Sequence, residues 1–143
     1  ATDISRAALR IAAANVSRYG LQDRITLIQA DLLHGLEGSF DIIAANLPYI
    51  DPTELAGLQA SVRKHEPRLA LDGGSEGTAI IVGLITQLPP RLVRPGIALL
   101  ECDPRQAPTL SAQARDMLPE ATVTTVKDLA GWDRLIRIER EAP

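Results

Sequence analysis

The run Phe40-Asp41-Ile42-Ile43-Ala44-Ala45 constrains the fold more than any other stretch of the chain. It is nearly all apolar, and it stops at Asn46-Leu47-Pro48-Tyr49, where proline cannot continue strand pairing. A short apolar run of this kind predicts a strand buried on both faces, as in a parallel sheet covered by helices. The flanking segments alternate to match. Ala8, Leu9, Ala12, Val16 and Tyr19 recur at helical spacing between Ser5 and Gly20, predicting a helix from Ser5 to Tyr19. Ile25 to Gln29 reads as a strand. Residues 50–77 are irregular and polar, with a short helix near Glu54 to Val62. A further helix is expected from Ser75 or Glu76 to Leu88. Arg94-Pro95-Gly96 reads as a turn, Ile97 to Cys102 as a strand, and Pro108 to Met117 as a helix with proline in its first turn. Thr122 to Lys127 and Leu135 to Glu139 read as two strands, an antiparallel finish.

This order predicts an α/β fold, a mostly parallel sheet with helices on both faces and an antiparallel C-terminal hairpin. In such sheets ligands bind outside the carboxyl ends of the strands. Asp3, Asp31 and Asn46 fall at those ends.

Composition narrows the function classes. With 143 residues and 45% hydrophobic content, the chain suffices for one domain with a real core and is not disordered. A net charge of -3 leaves no global basic field for nucleic acid. The aromatics Tyr19, Phe40, Tyr49 and Trp132 are too few for a base-stacking platform. No apolar run approaches the ~18 residues of a membrane span. The single cysteine, Cys102, excludes an internal disulfide framework and fits a reducing, cytoplasmic compartment; it reads as a buried strand residue. His34, His65 and Cys102 lack zinc-site spacing, so no metal is expected. Nucleophile-elbow, phosphate-loop and G-x-G-x-x-G motifs are all missing. The only methionine is Met117, and the opening Ala1-Thr2-Asp3 reads as the end of a strand. The chain is therefore expected to be the later part of something longer.

Asn46-Leu47-Pro48-Tyr49 suits a planar N–H group. The Asn46 side-chain oxygen can accept one N–H, the Leu47 carbonyl can accept another, and Tyr49 offers a ring. An ordinary Asn-x-Pro turn uses the same four residues.

The motif resembles the [Asn/Asp/Ser]-x-Pro-[Tyr/Phe] signature of S-adenosylmethionine-dependent methyltransferases acting on planar nitrogens. The rest of the chain resembles the release-factor glutamine N5-methyltransferase family. The matching stretches include Asp3-Ile4-Ser5, Ala30-Asp31-Leu32-Leu33, Glu66-Pro67-Arg68-Leu69-Ala70-Leu71-Asp72-Gly73-Gly74 and Lys127-Asp128-Leu129-Ala130-Gly131-Trp132-Asp133-Arg134. The chain departs from the family at Leu47, where the family usually has proline, and at Glu101-Cys102-Asp103, where it more often has Glu-Ile-Gly.

The resemblance implies a Rossmann-like class I methyltransferase sheet. Residues 1–143 would then form the C-terminal part of one catalytic domain whose first strand and glycine-rich loop precede Ala1. It implies S-adenosylmethionine as cofactor. Asp3 would bind the ribose hydroxyls, Ile4 would pack on the adenine, Asp31 would accept the adenine amino hydrogen, and Leu32 would add backbone or apolar contact. Asn46 touches both ligands by this reading. Asn46 and Leu47 would hold the glutamine amide, with Pro48 fixing the geometry and Tyr49 lining the pocket. The implied reaction is methyl transfer to the glutamine side-chain nitrogen in the Gly-Gly-Gln loop of a class-I peptide-chain release factor, with neither membrane nor direct nucleic-acid partner. Two alternatives stay open. Asn-Leu-Pro-Tyr also suits an adenine-N6 RNA methyltransferase, and the missing glycine loop suits a cofactor-incompetent domain.

Overall fold

The computed structural model describes residues 1–142, which form two compact units, residues 1–38 and 39–142. In the first unit, strand β1 (Thr2–Asp3) pairs in parallel with β2 (Ile28–Gln29), Thr2 opposite Ile28 and Asp3 opposite Gln29. Helix α1 (Arg6–Arg18) lies between them in sequence. Ser5 caps it: its Oγ accepts from the Ala8 N–H at 3.3 Å, satisfying one of the free donors of the first turn. Gly20, at φ 65°, follows the helix end as expected of a left-handed stop.

The second strand is shorter than the predicted Ile25 to Gln29. A parallel ladder extends only as far as its partner, and residues 21–25 are instead turned by Arg24 and Ile25 N–H groups donating to the Leu21 carbonyl. Leu33 and Leu36 are the buried hydrophobic residues of this unit. Along the apolar stripe of α1, Ala8, Leu9, Ala12 and Val16 are half-buried, while Tyr19 is exposed.

The second unit carries a four-stranded sheet whose strands, from one edge to the other, begin at Phe40, Leu92, Asp133 and Thr122. Strand β3 (Phe40–Ala45) pairs in parallel with β4 (Leu92–Glu101). Strands β5 (Thr122–Lys127) and β6 (Asp133–Arg140) form the antiparallel hairpin, and β6 pairs with β4. Ile43, Ala98, Ile138 and Val123 line up across all four strands, each on the buried face. Leu100 and Ile136 form the next row. Helices α3 (Ala79–Gln87) and α4 (Ala107–Met117) supply Ile81, Leu84, Ile85, Leu110 and Ala114 to this core. Helix α2 (Ala60–His65) buries nothing.

Several expectations need correction. Phe40 to Ala45 is a strand, but it is not buried on both faces: Ile43 is buried, whereas Ile42 is 65% exposed. It stands at the edge of its sheet, and successive side chains point to opposite faces, only one of which is packed. Arg94-Pro95-Gly96 is not a turn. Strand β4 runs straight through it, and the register shift between Phe40 and Ile42 places proline in a bulge, where its missing N–H costs no ladder bond. A Cβ on Gly96 would lie 2.6 Å from the Val93 carbonyl oxygen, so the bulge requires glycine there. The short helix near Glu54 to Val62 resolves into a 3-10 turn at Leu55–Gly57 followed by α2. Helix α3 starts at Ala79 because Glu76 and Gly77 adopt left-handed φ of 56° and 66°, which no α-helix continues through. No helix among the described residues is long and apolar enough to cross a membrane.

Candidate functional site

Asn46-Leu47-Pro48-Tyr49 leaves the carboxyl end of β3 directly. Asn46 is exposed. Neither its side chain nor the Leu47 carbonyl has a hydrogen-bond partner among the described residues. Two acceptors thus stand free on adjacent residues, with Pro48 fixing φ just beyond them.

The loop behind these acceptors is held firmly. The Ile50 N–H donates to the Leu71 carbonyl at 3.0 Å, and the Gly73 N–H donates to the Ile50 carbonyl at 2.9 Å. Residues 66–74, the Glu-Pro-Arg-Leu-Ala-Leu-Asp-Gly-Gly run, therefore form a strap against the motif backbone. A Cβ on Gly73 would come within 2.8 Å of the Tyr49 Cα, so close approach is why glycine stands there. The Arg68 and Asp72 side chains pair with each other at 3.2 Å, and Asp72 Oδ1 accepts from the Gly74 N–H at 3.1 Å. Both contacts serve the strap. Glu66 is exposed.

Tyr49 is anchored at both ends. Its hydroxyl donates to Glu101 Oε1 at 3.4 Å, and the Arg134 guanidinium lies 5.9 Å from its ring centroid. Arg134 also pairs with Asp128 at 3.7 Å and donates to the Cys102 carbonyl at 3.4 Å. At the other end, Gln106 Nε2 donates to the Tyr49 carbonyl at 2.8 Å. Glu101, Gln106 and Arg134 escaped sequence reasoning as site residues. Glu101 alone had a usable signal, a charged residue closing an apolar strand at its carboxyl end.

Further along, Arg105 grips Glu54 through two bonds of 2.9 and 3.1 Å and reaches Asp103 at 2.9 Å. That hydrogen bond from Arg105 is the main reason the Asp103 carboxyl lies below the usual carboxylate range. The Cys102 thiol is pushed up to about 11 by burial, with the Arg134 charge opposing the shift.

In the first unit, Asp3 with Ile4 and Asp31 with Leu32 leave the same end of two paired parallel strands. Asp3 Oδ1 accepts from the Ser5 N–H at 2.7 Å, so one carboxylate oxygen is used locally while Ser5 itself does the capping. Ile4 is 50% exposed, and Asp31 is exposed. Leu32 adopts φ 55°, a left-handed conformation rare for leucine and frequent at ligand sites. An open carboxylate beside an exposed aliphatic face fits a nucleoside, the acid for a diol and the apolar side chain for a flat ring.

Comparison with known proteins gives the class first. Residues 1–60 match the family described as RMKL-like, methyltransferase domain. The fold matches the crystal structure of ribosomal protein L11 methylase from Lactobacillus delbrueckii subsp. bulgaricus with a TM-score of 0.68 at 23% identity, covering 98% of this chain and 56% of that one. The fold is thus that of a class I methyltransferase. In sequence the chain is 39% identical over 142 residues to the release factor glutamine methyltransferase of Rhodopirellula baltica, covering 98% of this chain and 48% of the relative. It is 40% identical over 102 residues to the ribosomal protein uL3 glutamine methyltransferase of Bordetella pertussis, covering 71% of this chain and 34% of that one. The chain is thus similar along nearly its whole length to release factor glutamine methyltransferases, and it spans about half the length of those curated relatives.

Proposed function

We propose that the protein of which these residues are part methylates the side-chain amide of a protein glutamine, and that its substrate is a peptide-chain release factor. The observation that carries this reading is the pair of unpartnered acceptors at Asn46 and Leu47, set on a loop anchored through Tyr49, Ile50 and the strap. A primary amide presents two N–H groups in one plane, which two adjacent acceptors can take. An amide nitrogen is a poor nucleophile because its lone pair is delocalised. Acceptors on both N–H groups favour a pyramidal nitrogen and aim its lone pair, and positioning of this kind supplies several kcal/mol, roughly, of a barrier. Tyr49 walls the pocket. No strong base is needed if the proton leaves after transfer.

S-adenosylmethionine, the cofactor we assign, would supply an electrophilic methyl group on a sulfonium. Asp3 would hold its ribose hydroxyls in a charge-assisted contact, Ile4 and Leu32 would cover the adenine, and Asp31 would accept the adenine amino group. We read residues 1–143 as part of a single catalytic domain, working in the cytoplasm without membrane or direct nucleic-acid contact.

The test incubates the complete protein and S-adenosylmethionine with a release factor, with ribosomal protein uL3 and with ribosomal RNA, and locates the methyl group by mass spectrometry. Methylation of a release-factor glutamine is expected. Transfer to uL3 alone would keep the chemistry and change the partner. Transfer to RNA alone would overturn the reading.

A further inference from the structure

We propose that Gln106 is a positioning residue for this transfer, fixing the amide-binding loop from behind; the inference rests on the reading of Asn46 and Leu47 given above. Gln106 occupies the N-cap position of α4, yet its side chain makes no capping bond to that helix. It reaches away instead. Its Nε2 donates to the Tyr49 carbonyl at 2.8 Å and to the Glu76 carbonyl at 3.2 Å, and its Oε1 accepts from the Asp103 N–H at 3.2 Å. One neutral amide thereby joins three segments: the loop after β3, the turn before α3 and the turn after β4. A side-chain amide carries two donors and acceptor lone pairs on one short stem, which is what this junction uses.

The surroundings show that the junction is built closely. A Cβ on Gly77 would stand 2.5 Å from Gln106 Nε2, so glycine there makes room for the amide. Glu76, whose carbonyl takes the second bond, sits at φ 56°, a strained conformation for a residue with a side chain. The bond from Gln106 helps hold it there.

The loop needs such a tether. Of its four residues only Pro48 has a fixed φ, and Leu47 leaves the backbone free at the residue whose carbonyl is to accept an amide N–H. The Tyr49 carbonyl lies two residues beyond the Leu47 acceptor, and Gln106 holds it directly. Gln106 touches neither reacting atom. It acts through the geometry of Asn46 and Leu47.

The test compares Gln106→Met and Gln106→Glu with the parent in the complete protein, measuring transfer to a release factor and S-adenosylmethionine affinity by calorimetry. Methionine keeps the length and removes every donor. We expect its kcat to fall about 10- to 100-fold, the scale of a small misplacement, with KM for the protein substrate and cofactor Kd within about threefold. Glutamate adds a signature that a merely structural role would not produce. Its ionised carboxylate would repel the two carbonyls, whereas its protonated form can donate again. The kcat of Gln106→Glu relative to the parent should therefore rise as pH falls from about 8 to about 6. The neighbouring ionised groups, Asp103, Glu76 and Arg105, are common to both proteins. Gln106→Met at half the parental kcat or more, or a Gln106→Glu profile parallel to the parent, would overturn the inference. If the methionine variant fails to fold, the glutamate profile decides alone. A parent that transfers nothing to protein glutamine would instead remove the amide-binding reading, and this inference with it.

Discussion

Asn46→Ala separates function from stability, because the structure gives the side chain nothing to do for the fold. It is exposed, it has no hydrogen-bond partner among the described residues, and it lies one residue past the end of β3. Removing such a group changes stability by less than about 0.5 kcal/mol. The melting temperature should then move by no more than about 2 °C. The effect on transfer should be of another order. Loss of one preorganised hydrogen-bonding group at a reacting centre costs about 10²- to 10³-fold in kcat, or roughly 3–4 kcal/mol. The assay pairs thermal melting with methyl transfer to a release factor in the complete protein, and measures cofactor affinity alongside. Cofactor affinity should be nearly unchanged. Asn46→Asp should keep more activity than alanine, because a carboxylate oxygen still accepts an N–H. Transfer by Asn46→Ala within about tenfold of the parent would show that Asn46 does not hold the amide. Equal loss of cofactor binding and transfer would refute the substrate-amide role as well.

Other consequences follow from the second unit. Leu100 is 1% exposed and sits between Ala45 and Ile136 across the ladder, so Leu100→Ala should cost about 2–5 kcal/mol in urea unfolding. A loss below about 1 kcal/mol would mean the site collapses around the gap. Cys102, with its thiol pushed up to about 11 by burial, should resist thiol reagents in the native protein at pH 8, where only about one thiol in a thousand is ionised. Because the folded value lies above the ordinary 9.0, the unfolded chain releases its proton first, and stability should decline as pH rises from 9.0 toward about 11. Rapid native labelling would contradict this. Arg105→Gln removes the hydrogen bond that chiefly lowers Asp103, so the Asp103 titration followed by NMR should move up toward the ordinary carboxylate range. The stability that the lowered Asp103 contributes is present above that range and fades as pH falls through it; the variant should show a weaker acid-side dependence, because the Arg105 backbone N–H and the Arg134 charge still act on Asp103.

Much of the fold was legible because period and punctuation agree in it. The stretch Thr122 to Lys127 is β-branched and forms β5 without a residue's difference, and Pro108 falls in the first turn of α4, as its fixed φ favours. The failures have local causes that propensity does not carry. A proline-glycine pair reads as a turn unless a neighbouring strand offers a bulge to absorb it, as β3 does for Pro95. A β2 of five residues needed a β1 equally long. The burial of Phe40 to Ala45 was inferred from composition, but composition cannot say how many neighbours a strand has.

The site divides along a physical line. A position at the carboxyl end of a strand shows in one dimension, and Asp3, Asp31 and Asn46 were singled out as candidates by it; of these, Asp3 spends one carboxylate oxygen on the Ser5 N–H. The residues that hold the loop spend their polar groups on backbone far away in sequence. Gln106 reaches 57 positions to the Tyr49 carbonyl, and Tyr49 reaches 52 to Glu101. Such bonds have no period and no spacing to read. The Glu66 to Gly74 run lies between the two cases. It stood out as a stretch matching the family, yet Arg68 and Asp72 bind each other and Gly73 yields space to Tyr49, so the run shapes the loop while these two charged groups satisfy each other. A distinctive run of residues is therefore weak evidence of ligand contact until its side chains are shown to be free, and at this site the free ones are Asn46 and its neighbour's carbonyl.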